Sequence, residues 1–164
     1  RGVGALSLRE LARDLGVSHA APARHFADRQ QLLEAVAVEG FRLLATEISD
    51  AIASSSDLQS QARHLAQAYL GFAIEKANLI DVMFRHEAGH SGEAIGQSAA
   101  MSLQPLLQLF HRAEQDGSVR AGEAETAATL FLAALQGVAA LVNCGVVPPE
   151  NVPELIDNLS LIHI

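Results

Sequence analysis

From residue 128 to residue 142 the chain reads ATLFLAALQGVAALV, interrupted only by Gln136. The helix this predicts, from Ala124 to Asn143, is apolar nearly all round and has no single amphipathic stripe. In a chain of 164 residues such a helix has to be buried on two sides. One side can face the chain's own core, and the other most simply faces a partner. A central helix within a monomer is the alternative. Small residues at Ala133, Ala134, Gly137, Ala139 and Ala140 would permit another helix to approach closely.

The composition agrees with a helical protein. Hydrophobic content is 49%, with Ala and Leu dominant, five Pro, no Trp and few β-branched runs, which selects an all-α fold. The length suffices for one good core, or one large and one small core sharing a helix. No apolar run reaches the roughly 18 residues that span a bilayer. No signal-peptide pattern is visible either, so the expectation is a cytoplasmic chain with no membrane partner. The single cysteine, Cys144, cannot form an internal disulfide and agrees with a reducing compartment. With nothing basic near it in sequence, it is expected to pack at a helix end rather than sense redox state.

Hydrophobic periodicity divides the chain into further helices. Asp28 caps one from about Arg29 to Ser54, with Leu32, Leu33, Val36, Phe41, Leu44, Ile48 and Ile52 as its stripe. SSSD at 54–57 is a polar loop ending in a cap, and Leu58 to Lys76 is amphipathic again. Ala77-Asn78 breaks that helix, and Leu79 to Arg85 forms a short apolar one. A glycine-rich loop at 89–96 precedes a helix from Ser98 to Asp116, which Pro105 bends or splits. VVPPENVP is a rigid turn before a last helix from Glu154 to Leu161.

The stretch Ser7 to Phe26, SLRELARDLGVSHAAPARHF, is different in kind. Leu8, Leu11, Ala12 and Leu15 recur at helical spacing opposite Arg9, Glu10, Arg13 and Asp14. Ser7 and Glu10 form a capping-box pattern, and Gly16 can end the helix in a left-handed conformation. Ser18 then caps a second short helix carrying His19, Ala20, Ala21, Arg24 and His25. A helix, a glycine turn and a short second helix is the helix-turn-helix plan, whose second helix enters the major groove of DNA. Charge supports this placement. The net charge is −8, yet residues 1–30 hold five Arg against three acids, while residues 31–164 hold six basic against sixteen acidic residues. Any phosphate-facing surface therefore lies at the N-terminus.

LRELARDLGVSHAAPARHF followed by ADRQQLLEAV resembles the DNA-binding domain of the tetracycline-repressor (TetR) family. The LxxLAxxLGVS run, the closing RHF, and Arg29, Leu32 and Leu33 carry the likeness, which covers about the first 45 residues. GVSHAAP and GFRLL at 40–44 resemble a subgroup whose regulatory domain bears a Trp-His-Gly signature. That signature reads here as Leu132, Gln136 and Gly137, so only the glycine is kept. A tyrosine that usually precedes RHF is replaced by Ala23. The resemblance implies a head at 1–45 and a ligand-binding, dimerising helical bundle at 46–164. It also implies a further helix upstream of Arg1. The terminal LSLIHI, 159–164, can be read as a cloning or assembly scar.

On this resemblance His19, Ala20, Ala21 and Arg24 face base edges, and Arg24 can donate two hydrogen bonds to guanine. Ser7, Ser18, His25 and Arg29 stand where members of the family contact phosphate. A largely apolar pocket is expected from Tyr69, Phe72, Met83, Phe84, Met101, Leu106, Phe110 and Asn143, with plain core as the alternative. The dimer interface is expected at Leu130, Ala134, Gly137, Leu141, Leu155 and Leu159. The function implied is a homodimeric regulator, a repressor by family expectation, that binds double-stranded operator DNA and is released by a small apolar effector. No cofactor, resident metal or catalytic activity is expected.

Two other readings remain. One is a ligand-binding or dimerisation module without DNA binding. The other is a zinc-dependent hydrolase, because His86-Glu87-Ala88-Gly89-His90 spells H-E-x-x-H. That chemistry needs a helix through both histidines and a third ligand, for which His111 or Glu114 would have to serve. Gly89 and the following HSG favour a solvated loop instead.

Overall fold

The computed structural model describes Arg13, Gly16, Ser18, residues 24–84 and residues 93–163. Among these residues there are six α-helices and no strand. They are α1 (Arg29–Ala53), α2 (Leu58–Glu75), α3 (Ala77–Phe84), α4 (Glu93–Gln115), α5 (Ala124–Asn143) and α6 (Val152–His163). A 3-10 turn, Pro149–Asn151, leads into α6.

Side chains set the helix starts. The Asp28 carboxylate accepts from Gln31 N at 2.8 Å, while Gln31 Oε1 accepts from Ala27 N at 2.6 Å. This reciprocal pair satisfies amides that have no partner inside the helix. Asp57 does the same for α2, accepting from Ser60 N at 2.8 Å and from the Ser55 hydroxyl at 3.1 Å. The Ser60 amide chiefly, with the Ser55 hydroxyl adding to it, holds the Asp57 carboxyl below its ordinary value. At the other end of α4, Asp116 accepts from Ser118 N and Gly117 takes φ 88°, a conformation that glycine adopts without strain.

One core joins the helices. Phe41, Leu44 and Ile48 of α1 meet Leu65, Tyr69 and Phe72 of α2, Met83 of α3, Leu109 and Phe110 of α4, and Phe131 and Leu135 of α5. Phe110 and Phe131 rings lie 5.5 Å apart between α4 and α5. α4 packs mainly on α1 and α5 and only lightly on α2. α6 closes the far side through Ile156, with Arg63 of α2 paired to Asp157.

Three expectations are corrected. α4 begins at Glu93 rather than Ser98, because Ile95 is already buried in the core and outweighs the poor helix propensity of Gly96. Pro105 does not split α4. Its ring removes the donor for the carbonyl of Met101, and that residue is exposed, so water can supply the missing bond. Finally, α5 taken whole has 20 residues at a mean hydropathy of 1.6, long and apolar enough to cross a membrane by length and composition alone. In this fold one stripe of that helix, Ala124, Ala128, Phe131, Leu135, Ala139 and Val142, is buried against the other helices.

Candidate functional site

The head is described in part. Gly16 has φ 66° and its amide donates to Arg13 O at 3.1 Å, as a left-handed residue ending a helix would. Ser18, Arg24 and His25 are exposed, the last two in helical conformation, and Arg29 is half-buried at the start of α1. Ser7, His19, Ala20 and Ala21 lie outside the described residues, as does His86-Glu87-x-x-His90. Among the described residues no three His, Cys, Asp or Glu side chains come together to hold a metal ion.

α1 and α3 make a close joint. Gly40 is buried in mid-helix, and a Cβ there would meet Met83 Sδ at 2.6 Å and Cγ at 2.8 Å. A glycine inside a helix costs about 1 kcal/mol relative to alanine. Here it permits α3 to lie directly on α1. Phe41 and Phe84 complete the contact edge-to-face at 5.5 Å. Beside this joint runs an apolar groove of about 300 Å³, lined by Phe26, Leu32, Val36, Gly40, Leu43 and Leu79, with Glu39 the one charged side chain among the described residues of its lining. Farther along α1, Lys76 reaches Glu47 at 3.2 Å and lies 4.5 Å from the Phe72 ring centre, holding the end of α2.

The residues expected to line an effector pocket divide in three. Tyr69, Phe72, Met83, Leu106 and Phe110 are buried in one cluster, and Phe84 packs half-buried against it. Met101 is 68% exposed on α4 and does not join them. Its position follows from the register of α4, which turns Ser102 and Leu106 inward. Asn143 caps instead of lining, since its Nδ2 donates to Ala73 O at 3.1 Å near the end of α2. Sequence reasoning missed one polar link inside the body. Arg112 Nη2 donates to Gln61 Oε1 at 2.8 Å, and Gln61 Nε2 donates to Ser55 O at 2.7 Å.

Beyond its first turns, where Glu125, Thr126 and Thr129 are exposed, the outer side of α5 is apolar. Leu130 is 55% and Leu141 43% exposed, with Ala133 and Gly137 exposed between them at helical spacing. Val146, 67% exposed, extends the stripe past the helix end. Ala134, Leu155 and Leu159 are half-buried, whereas Ala139 points into the protomer's own core and is not available to a neighbour.

Comparison with known proteins places this arrangement. A family model described as "Tetracyclin repressor-like, C-terminal domain" matches residues 62–159, more than half of the chain. A second, "Bacterial regulatory proteins, tetR family", matches residues 1–36. The chain belongs to the TetR family of transcriptional regulators. No curated protein matches it. Among solved structures, this TetR regulator is similar to a protein of unknown function from Rhodococcus sp. RHA1. The two share 32% identity over 94% of this chain and 81% of that one, at a TM-score of 0.85. It also shares its fold with the TetR family transcriptional regulator PfmR from Thermus thermophilus, at 20% identity, 98% and 89% coverage and a TM-score of 0.77. AibR, solved in complex with isovaleryl coenzyme A and operator DNA, gives 17% identity, 98% and 88% coverage and a TM-score of 0.71. Arg24 and His25 fall within the stretch matched by the second model, and Gly40 lies between the two matched stretches.

Proposed function

We propose that this regulator works as a homodimeric repressor in the cytoplasm, released from its operator by a small, largely apolar molecule bound in the helical body. One observation carries the reading: α1 runs unbroken from the head, past the Gly40–Met83 contact, into the core that holds Tyr69, Phe72 and Phe110. A change in that core which shifts α3 therefore also shifts the helix that bears the head. The AibR structure, with an acyl-coenzyme A and operator DNA together, supports the idea that this fold accommodates both. The effector has to bind the released state more tightly than the DNA-competent state, since equal affinity shifts nothing. Leu130, Ala134, Gly137, Leu141, Leu155 and Leu159 form the dimer contact in this reading. Ser7, Ser18, His19, Ala20, Ala21, Arg24, His25 and Arg29 serve operator contact.

Fluorescence anisotropy with DNA from upstream of the protein's own gene, against scrambled DNA at two salt concentrations, tests the DNA-binding part. Selective, salt-sensitive binding is expected. Arg24→Ala should weaken operator binding by about 1–3 kcal/mol for a bidentate base contact, with the dimer intact. Operator binding by Arg24→Ala as tight as that of the parent would remove Arg24 from the recognition surface. Equal, weak binding to both DNAs would favour the module without DNA binding.

A further inference from the structure

The hydroxyl of Tyr69 is the structural oddity of the body. Tyr69 is 1% exposed, and no group among the described residues forms a hydrogen bond with its hydroxyl. The other buried polar side chains of the core, Gln61 and Ser102, are both satisfied. A buried hydroxyl without a partner loses its bonds to water and gains nothing, so for this fold alone phenylalanine would serve better at position 69. Burial also pushes the Tyr69 phenol well above its ordinary value, so the group is a neutral hydrogen-bond donor at any physiological pH.

We propose that the Tyr69 hydroxyl is the polar anchor of the effector site, and that the effector is an uncharged, mostly apolar molecule offering one hydrogen-bond acceptor such as a ketone, ester or amide carbonyl. This rests on the reading of the body as an effector-binding domain. Space for such a molecule is most easily made along the sides of α2 that pack lightly, against α3 and against α4; α2 and α4 are also tied by a side-chain link. Their polar link, Gln61 to Arg112, lies eight residues before Tyr69, about 12 Å along the axis of α2. Opening the bundle at Tyr69 therefore leaves that link in place. The class of ligand follows from what surrounds the anchor. Among the described residues the fully buried core holds no ionised side chain, so a carboxylate would enter without a counter-ion. A pure hydrocarbon would bind by its area alone and leave the hydroxyl unpaired.

The test uses the whole chain and three near-isosteric probes: 4-phenyl-2-butanone, butylbenzene and 3-phenylpropionate. Tyr69 is the only tyrosine and there is no tryptophan, so the ultraviolet absorption edge of the protein reports this one phenol. The ketone is expected to bind roughly tenfold more tightly than butylbenzene, to shift the tyrosine edge to the red, and to outcompete the carboxylate. In Tyr69→Phe that tenfold advantage should vanish while butylbenzene binding persists. The ligand-free Tyr69→Phe protein should melt no lower than the parent. A clear loss of melting temperature in ligand-free Tyr69→Phe would show that the hydroxyl already has a partner within the protein, and would overturn the proposal. So would equal ketone affinity in parent and variant, although saturable butylbenzene binding would then leave an apolar effector site standing. Saturable binding of none of the three would overturn both the anchor and the effector-binding reading.

Discussion

α2 and α5 touch each other, bury one face each in the same core, and differ on their other face. Outward from α2 stand Gln59, Arg63, Gln67 and Glu75, all exposed. Outward from α5, after the exposed Glu125, Thr126 and Thr129 of its first turns, stand Leu130, Ala133, Gly137, Ala140 and Leu141, also exposed. The first helix is complete as a boundary between protein and water. The second leaves large apolar side chains in solvent, a pattern that marks an interaction surface when such side chains are contiguous. Depth of burial on the inner side does not separate the two helices. Only the outer side separates them.

Substitutions can break this contrast at three levels. The largest effect is expected from Leu130→Glu combined with Leu141→Glu. Each leucine withdrawn from an interface forfeits about 1.5–3 kcal/mol of burial, so the dimer should weaken by at least roughly 100-fold. Sedimentation velocity reads the change, while the helical circular dichroism of the protomer should be retained. A double variant that stays dimeric at low micromolar concentration would move the interface off α5. A smaller effect, and of the opposite kind, is expected on α2. Gln61→Leu strands the Ser55 carbonyl and removes the acceptor of Arg112, which should cost about 2 kcal/mol. Thermal melting should fall by roughly 4–8 °C with the dimer intact. Smallest of all should be Gln67→Leu, on the polar side of α2, within about 0.5 kcal/mol of the parent in chemical denaturation. A large change there would mean that α2 also has a partner.

How far the sequence reveals this fold depends on how local each signal is. The start of α1 follows from Asp28 and Gln31, and that of α2 from Asp57, because a cap is made by residues three apart. The bounds of α5 are equally local, set between Gly122 and the prolines at 148 and 149. The start of α4 is not, since Gly92 and Gly96 read as loop and only the burial of Ile95 makes helix at Glu93 worthwhile. The body's interior is the least legible part. Asn143, one amide at the end of an apolar helix, suits a pocket fixture or a cap equally well until the end of α2 is seen beside it. Gln61 and Arg112 stand 51 residues apart, and nothing in either neighbourhood announces the other. Tyr69 reads correctly as an interior residue, but an unpaired hydroxyl becomes visible only once its surroundings are built.

The 25 unbroken residues of α1 have a mechanical consequence. At 1.5 Å per residue the helix is a rod about 37 Å long, pinned near its middle at Gly40, where the closest approach to α3 acts as a fulcrum. A rod multiplies small rotations. Tilting it by about 5° carries one end about 3 Å relative to the other, given that length. Two heads carried at such ends, reading major grooves one helical turn apart, about 34 Å, would both have to stay in register. With the pivot near the middle each head-bearing end moves by half of that, about 1.6 Å, or about half the rise of one base pair, since adjacent phosphates on a strand are spaced by about 3.4 Å along the axis. Displacements in the core too small to unsettle any helix can thus move the tips by an appreciable fraction of a base-pair step.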